Sequence, residues 1–189
     1  MTDVRDRELV LRASAGDRNA FGDLAAGYRD AIYSFACRML GDRDRAFDAA
    51  QETLVKAWSA LDTFDTTRPF RPWLFAICAN VCNDALRRRR YVPSLDEETR
   101  PDPPDPEDTP DRMVEELQAH EDVTLALQVL NETERTVVIL KHVRGWTYPE
   151  ISDATGMPVG TLKSHAHRAR RKLAKAIEAR GLTEDGDRR

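Results

Sequence analysis

Between Thr147 and Leu173 the chain gathers side chains suited to binding phosphate and reading base edges. Lys163, Arg168, Arg170, Arg171, Lys172 and Lys175 lie between Met157 and Ala176 with no acid among them, although the whole chain carries net charge −4. An acidic protein that collects its cations on one segment is built to meet a polyanion there. Thr161, Ser164 and His167 supply short polar groups on the same stretch, the composition that a major groove admits. A second set lies upstream, where Trp73, Ala76, Asn80, Asn83, Asp84 and Arg87 combine an aromatic, amides, an acid and an arginine. That mixture is poor core and good nucleic-acid surface. Covalent catalysis has no comparable constellation: the sequence holds no phosphate-binding Gly loop, no nucleophile elbow and no His-Glu-x-x-His, and its acids are scattered. The chain is expected to be no enzyme and to need no metal or cofactor.

These side chains need helices to hold them. Thr147 and Glu150 stand in the Thr-x-x-Glu spacing of a capping box, Gly156 can adopt the left-handed conformation that ends a helix, and Pro158 fits the first turn of the next. From there Val159, Leu162, Ala166, Ala169 and Leu173 recur at three and four, a buried stripe that leaves Gly160, Ser164, His167 and Arg171 opposite it and Thr161, Lys163 and Arg168 on its flanks. This is a helix-turn-helix, and the exposed face of its second helix is short, polar and basic, as a recognition helix in a major groove requires and as a solvated surface helix also allows. Upstream, Asn131 and Glu134 form another capping pair, opening a helix that Gly145 closes. In the first half, Phe21, Leu24, Tyr28, Ile32, Phe35 and Met39 form one stripe that Gly41-Asp42 breaks. A second helix, Arg43 to Leu61, buries Ala46, Ala50, Leu54 and Ala57/Trp58, and a third runs from after Pro69 to Arg90 on Leu74, Cys78, Val81 and Ala85. Every periodic segment reads as helix, so the expected fold is all-α, two small helical bundles.

Composition sets the wider frame. With 41% hydrophobic and 33% charged residues the chain is an ordinary globular one, and no apolar run approaches the roughly 20 residues that span a bilayer. The charged N-terminus is unlike a secretory signal, so no membrane insertion and a cytoplasmic location are expected. From Val92 to Asp111 six prolines alternate with acids (Pro93, Pro101, Pro103, Pro104, Pro106 and Pro110), a segment expected to be an extended, self-repelling linker. The expected domains are therefore 5–91 and 113–180, joined by an acidic Pro-rich linker at 92–112. Cys37, Cys78 and Cys82 are odd in number and sit in apolar helical settings, which points to reduced core thiols.

Three motifs in order carry a family resemblance: Asp48-Ala-Ala-Gln-Glu-Thr-Leu-Val-Lys-Ala-Trp58, Phe70-Arg-Pro-Trp-Leu-Phe-Ala-Ile-Cys-Ala-Asn80 with Asp84 and Arg87-Arg88 following, and the helix-turn-helix. The chain resembles a bacterial RNA polymerase sigma factor of the extracytoplasmic-function (ECF) group, the minimal type with only regions 2 and 4. The resemblance covers roughly Glu8 to Arg90 and Leu117 to Ala176. It implies a region 2 domain that binds core polymerase and melts the −10 element, and a region 4 domain that binds the −35 element. Asp48, Gln51, Glu52 and Val55, at spacings of three, four and seven, form an exposed ridge that the resemblance assigns to the clamp helices of the largest polymerase subunit. The flap region of polymerase is implied as a second contact. In the loop Asp62 to Pro69 the resemblance places a flipped −10 base, with Phe64 as stacking candidate, Trp73 beside it, Asn80 and Asp84 reading nearby bases, and Arg87 and Arg88 on phosphate. Thr161, Lys163, Ser164, His167, Arg168, Arg171 and Lys172 are implied to contact the −35 duplex. Phe47 and Leu54 depart from the usual acid and Phe of the family, and His165 from a common Arg. An anti-sigma factor is the further implied partner.

Three other readings stay open on the residues alone. A phosphodiester-cleaving enzyme would use Asp62, Asp65 and Asp84 with magnesium. A sigma-like decoy would bind only a regulator. A free-standing helix-turn-helix regulator would not need the Asp48 to Trp58 ridge.

Overall fold

The structure, a computed structural model, describes residues 2–91 and 123–179. The acidic Pro-rich linker at 92–112, the start of the second expected domain and the C-terminal tail lie outside the described residues.

In the first half, helix α1 (Thr2–Ser14) is followed by α2 (Arg18–Leu40). Asp17 caps α2, its carboxylate accepting from the Asn19 and Ala20 amides at 3.0 and 3.1 Å, and Arg12 holds the other oxygen at 2.7 Å. Gly41, at φ 69°, ends α2, and Asp42 caps α3 (Arg43–Ala60). A 3-10 turn at Leu61–Thr63 leads through an irregular loop to α4 (Phe70–Tyr91). The expected helices are all present, and α1 is one that the sequence reading did not single out.

The buried face of α3 is rotated from the expected row. Ala46, Ala49, Ala50, Thr53 and Ala57 are buried, whereas Leu54 is half-buried and Trp58 is 36% exposed, its ring 5.0 Å from that of Phe21. Thr53 enters this face satisfied, its hydroxyl donating to the Ala49 carbonyl at 2.7 Å. Small side chains then let α3 lie close against α2 while the larger ones stay at the edge.

In the second half, residues 123–127 are helical, and α5 (Glu132–Val138) runs into a π-type turn at Ile139–Val143. Helices α6 (Tyr148–Thr155) and α7 (Val159–Ala179) form the helix-turn-helix. Both expected capping boxes are present, at Asn131/Glu134 and Thr147/Glu150, and Gly156 closes α6 at φ 70°. Leu162, Ala166 and Ala169 are buried as the spacing required, with Val159 and Leu173 half-buried.

The two halves pack directly on each other. Trp146, 1% exposed, sets its ring edge-on to Phe75 of α4 at 5.4 Å, while Arg71 lies over the Trp146 ring at 4.9 Å and Arg144 over Phe75 at 5.1 Å. Burial and the neighbouring Arg71 push Arg144 below the usual guanidinium pKa. At the far end, buried Arg135 donates to the Met39 carbonyl at the C-terminus of α2 and to the Leu127 and Leu130 carbonyls at 3.0 Å each. A helix C-terminus carries unsatisfied carbonyls and partial negative charge, so a guanidinium is a fitting plug. Helix α4 buries a second row, Phe75, Ala79 and Cys82, beyond the expected Leu74, Cys78 and Val81, with Trp146 covering Phe75, while the expected Ala85 is only half-buried.

Candidate nucleic-acid interface

Helix α7 carries its expected reading face on the outside. Thr161, Lys163, Ser164, His167, Arg168, Arg171 and Lys172 are all exposed, on the side away from buried Leu162, Ala166 and Ala169. Lys163 sits 6.0 Å from the ring centre of Tyr148, which also has Lys141 at 5.1 Å.

The exposed cations are not equivalent. Glu134, the third residue of α5 and 1% exposed, receives the Lys172 ammonium at 2.7 Å on Oε2, and Arg168 Nε stands 3.7 Å from its Oε1. Burial penalises the Glu134 charge, but Lys172, the Asn131 amide and Arg168 outweigh it and hold the carboxyl below its ordinary range. Arg168 Nη2 also lies 3.1 Å from His165 Nδ1. A guanidinium only donates, so His165 Nδ1 accepts and its proton resides on Nε2. Burial and the Arg168 charge lower the His165 pKa, consistent with a neutral ring. In the sequence the spacing marks Glu134 only as a capping residue, because its second partner, Lys172, lies 38 residues away. By contrast, Lys163, Arg170, Arg171 and Lys175 form no ion pair with another described residue.

On α4, Asn80, Arg87 and Arg88 are exposed, and Trp73 and Asp84 are half-buried, with Asp84 ion-paired to Arg87. Phe64 differs from the free platform that a stacking role suggests. It is 8% exposed, with Trp73 at 4.7 Å and Phe70 at 5.9 Å, three rings closing one aromatic corner. Two cavities flank this corner. One, of about 270 Å³, is lined by Asp6, Arg7, Thr67 and Pro69 among others; the other, of about 350 Å³, is lined by Thr63, Asp65, Arg68 and Trp73 and closed by Asp153 and Ala154 of the second half. Arg68 and Asp153 approach to 3.9 Å across it. Asp65, whose carboxylate binds Thr67 through the amide at 3.0 Å and the hydroxyl at 2.6 Å, shapes the loop. Those bonds hold its pKa low.

On α3, Asp48 and Gln51 are exposed, Val55 is 65% exposed, and Glu52 pairs with Lys56 at 2.7 Å. Phe47, 56% exposed, stands at the upper end of the same face, with half-buried Leu54 and exposed Trp58 along its edge. Cys78 and Cys82 are buried and Cys37 half-buried, and the Cys78 hydrogen bond together with burial pushes the Cys82 thiol up. Among the described residues no helix is long and apolar enough to cross a membrane, and no cluster of His, Cys, Asp and Glu could hold a metal.

Comparison with known proteins shows the family of the chain that carries these faces. Sigma-70 region 2 matches residues 24–91, and Sigma-70, region 4 matches residues 120–173. The ECF RNA polymerase sigma factor SigW of Bacillus subtilis is 31% identical over 183 residues, spanning 90% of this chain and 96% of that protein. The chain belongs to the ECF RNA polymerase sigma factors. Among solved structures, this sigma factor is similar to CnrH of Cupriavidus metallidurans in complex with the cytosolic domain of CnrY. The identity is 30% and the TM-score 0.70, over 93% of this chain and 98% of that one. It is also similar to RpoE in complex with the anti-sigma factor NepR from Bartonella quintana, at 26% identity and a TM-score of 0.63, over 84% of this chain and 96% of that one. As a sigma factor it directs core RNA polymerase to promoter DNA in transcription initiation, a role that uses binding surfaces and no covalent step.

Proposed function

We propose that this sigma factor divides promoter recognition between its halves, residues 5–91 for core polymerase and the −10 element and 113–180 for the −35 element, tied by the acidic strap 92–112. The observation that carries the reading is the outward face of α7, where Thr161, Lys163, Ser164, His167 and Arg171 leave a basic, hydrogen-bonding strip over a fully apolar underside. Asp48, Gln51, Glu52 and Val55 serve as the docking ridge for the polymerase clamp helices. Trp73, Asn80, Asp84, Arg87 and Arg88 form the single-strand surface, with Phe64 behind Trp73. A melted base that enters the cavity between Thr63, Asp65 and Trp73 lowers the barrier to strand opening, since unstacking costs a few kcal/mol per base. An anti-sigma factor controls the chain, a reading supported by the likeness to RpoE bound to NepR.

Transcription by the chain with core polymerase on a genomic fragment library, with start sites mapped, tests the whole reading. Replacing Phe64 and Asn80 together by Ala should leave duplex −35 binding intact and weaken −10 opening, read as loss of permanganate-reactive thymines. Pre-melted template should restore transcription. Normal opening in the double variant would move the melting surface elsewhere on the first half.

A further inference from the structure

We propose that Glu134 is a positioning residue for −35 recognition: it takes Lys172 out of DNA contact and fixes the arm of Arg168 against the duplex. The inference rests on the reading of α7 as the −35 helix. Three observations support it. The Glu134 carboxylate is 1% exposed, and a buried charge requires a countercharge. Lys172 supplies it at 2.7 Å, from one helical turn beyond Arg168 on the same side of α7. Glu134 also accepts the Asn131 amide at 3.2 Å, while its own amide donates to Asn131 Oδ1 at 2.9 Å, so the carboxylate is anchored to the start of α5 and cannot follow a mobile lysine.

Arg168 is then held on two edges, Nε toward Glu134 Oε1 at 3.7 Å and Nη2 against His165 Nδ1 at 3.1 Å. Its remaining Nη1 edge is the part left for a base or a phosphate. An arginine whose direction is set before DNA arrives discriminates geometry better than a swinging one. Lys172, although 46% exposed, has its charge matched inside the protein and releases no counterion from DNA.

The test measures binding of the full-length chain to a duplex selected by that chain from a randomised pool, and to a scrambled duplex of equal composition, from low to moderate salt. Glu134→Gln keeps the shape of the capping side chain but frees the lysine charge. The plot of log K against log salt should then steepen by about 0.9 on both duplexes, as one more cation reaches phosphate. Preference for the selected duplex should fall at least about fivefold, as expected when a directed base contact is lost. Adding Lys172→Gln to Glu134→Gln should return the slope to wild type without restoring the preference. A purely structural role for Glu134 would lower affinity with no steepening, and that result would overturn the proposal. If Glu134→Gln folds poorly, Lys172→Gln alone decides: an unchanged slope is expected, and a slope flattened by about 0.9 would mean that Lys172 touches phosphate and the proposal is wrong. A wild-type chain that shows no preference between the duplexes would instead defeat the −35 reading itself.

Discussion

Arg171 and Lys172 are adjacent in sequence but face different chemistry. Arg171 is exposed and unpaired among the described residues, so Arg171→Ala should flatten the salt dependence of −35 binding by about one. Lys172 is matched to Glu134. A filter-binding series in which Arg171→Ala leaves the slope untouched would remove Arg171 from the DNA face. Glu134 also links stability to pH. Its folded pKa lies below the ordinary value of 4.5, so its ion pairs stabilise the fold above that value and are lost as pH falls through the lower folded one. Acid titration followed by circular dichroism should show wild type losing stability more steeply than Glu134→Gln across that range. At neutral pH the variant should be weaker by about 1–2 kcal/mol. The cations of α7 were legible because they share one segment without acids. Their partner was not, because Glu134 lies 38 residues before Lys172 and only the packing of α5 on α7 brings them together.

Turn chemistry was the most legible level of the elements. Each capping box and each helix-ending glycine singled out in the sequence is where its residue types put it, since such signals act within a few residues. Less legible was which face of α3 is buried, because an alanine-rich helix offers several apolar stripes and the choice rests on what α2 accepts. Two glycines give a comparative test. Gly41 and Gly156 have nearly the same left-handed φ, 69° and 70°, but a Cβ on Gly156 would meet open space, whereas one on Gly41 would meet the Gln128 amide at 3.0 Å. Gly156→Ala should cost about 1–2 kcal/mol, the backbone strain alone. Gly41→Ala should cost more, because Gln128, which reaches the Arg38 carbonyl from the second half, must also move. Thermal melts showing equal losses would mean that Gln128 gives way freely.

At the scale of the whole molecule, the expectation of two bundles omits how they meet. Nothing in the pattern of Trp146, Arg135 or Arg144 marks them as residues that bury against the other half, since a tryptophan beside a capping box reads equally as local core. In the packed form, Asp153 and Ala154 close the cavity beside Trp73, on the surface proposed for −10 DNA. Uncovering that surface requires the halves to part, and the promoter elements they are to reach, about one and a half turns apart, are roughly 50 Å distant at 34–36 Å per turn. Fluorophores on exposed Arg29 and Lys175 should therefore lose energy transfer when core polymerase and promoter DNA are added; unchanged transfer would mean that the halves stay together. The Trp146 contact has one more consequence. Its indole is 1% exposed against Phe75, with an Nε1 that makes no hydrogen bond, whereas Trp58 already meets solvent at 36%. Separation of the halves would hydrate that one ring, so with Trp58 and Trp73 changed to Phe the protein's own emission should shift to the red as it opens. A regulator that clamps the molecule shut would leave that colour unchanged and one that wedges it apart would shift it to the red, an optical distinction available without any attached dye.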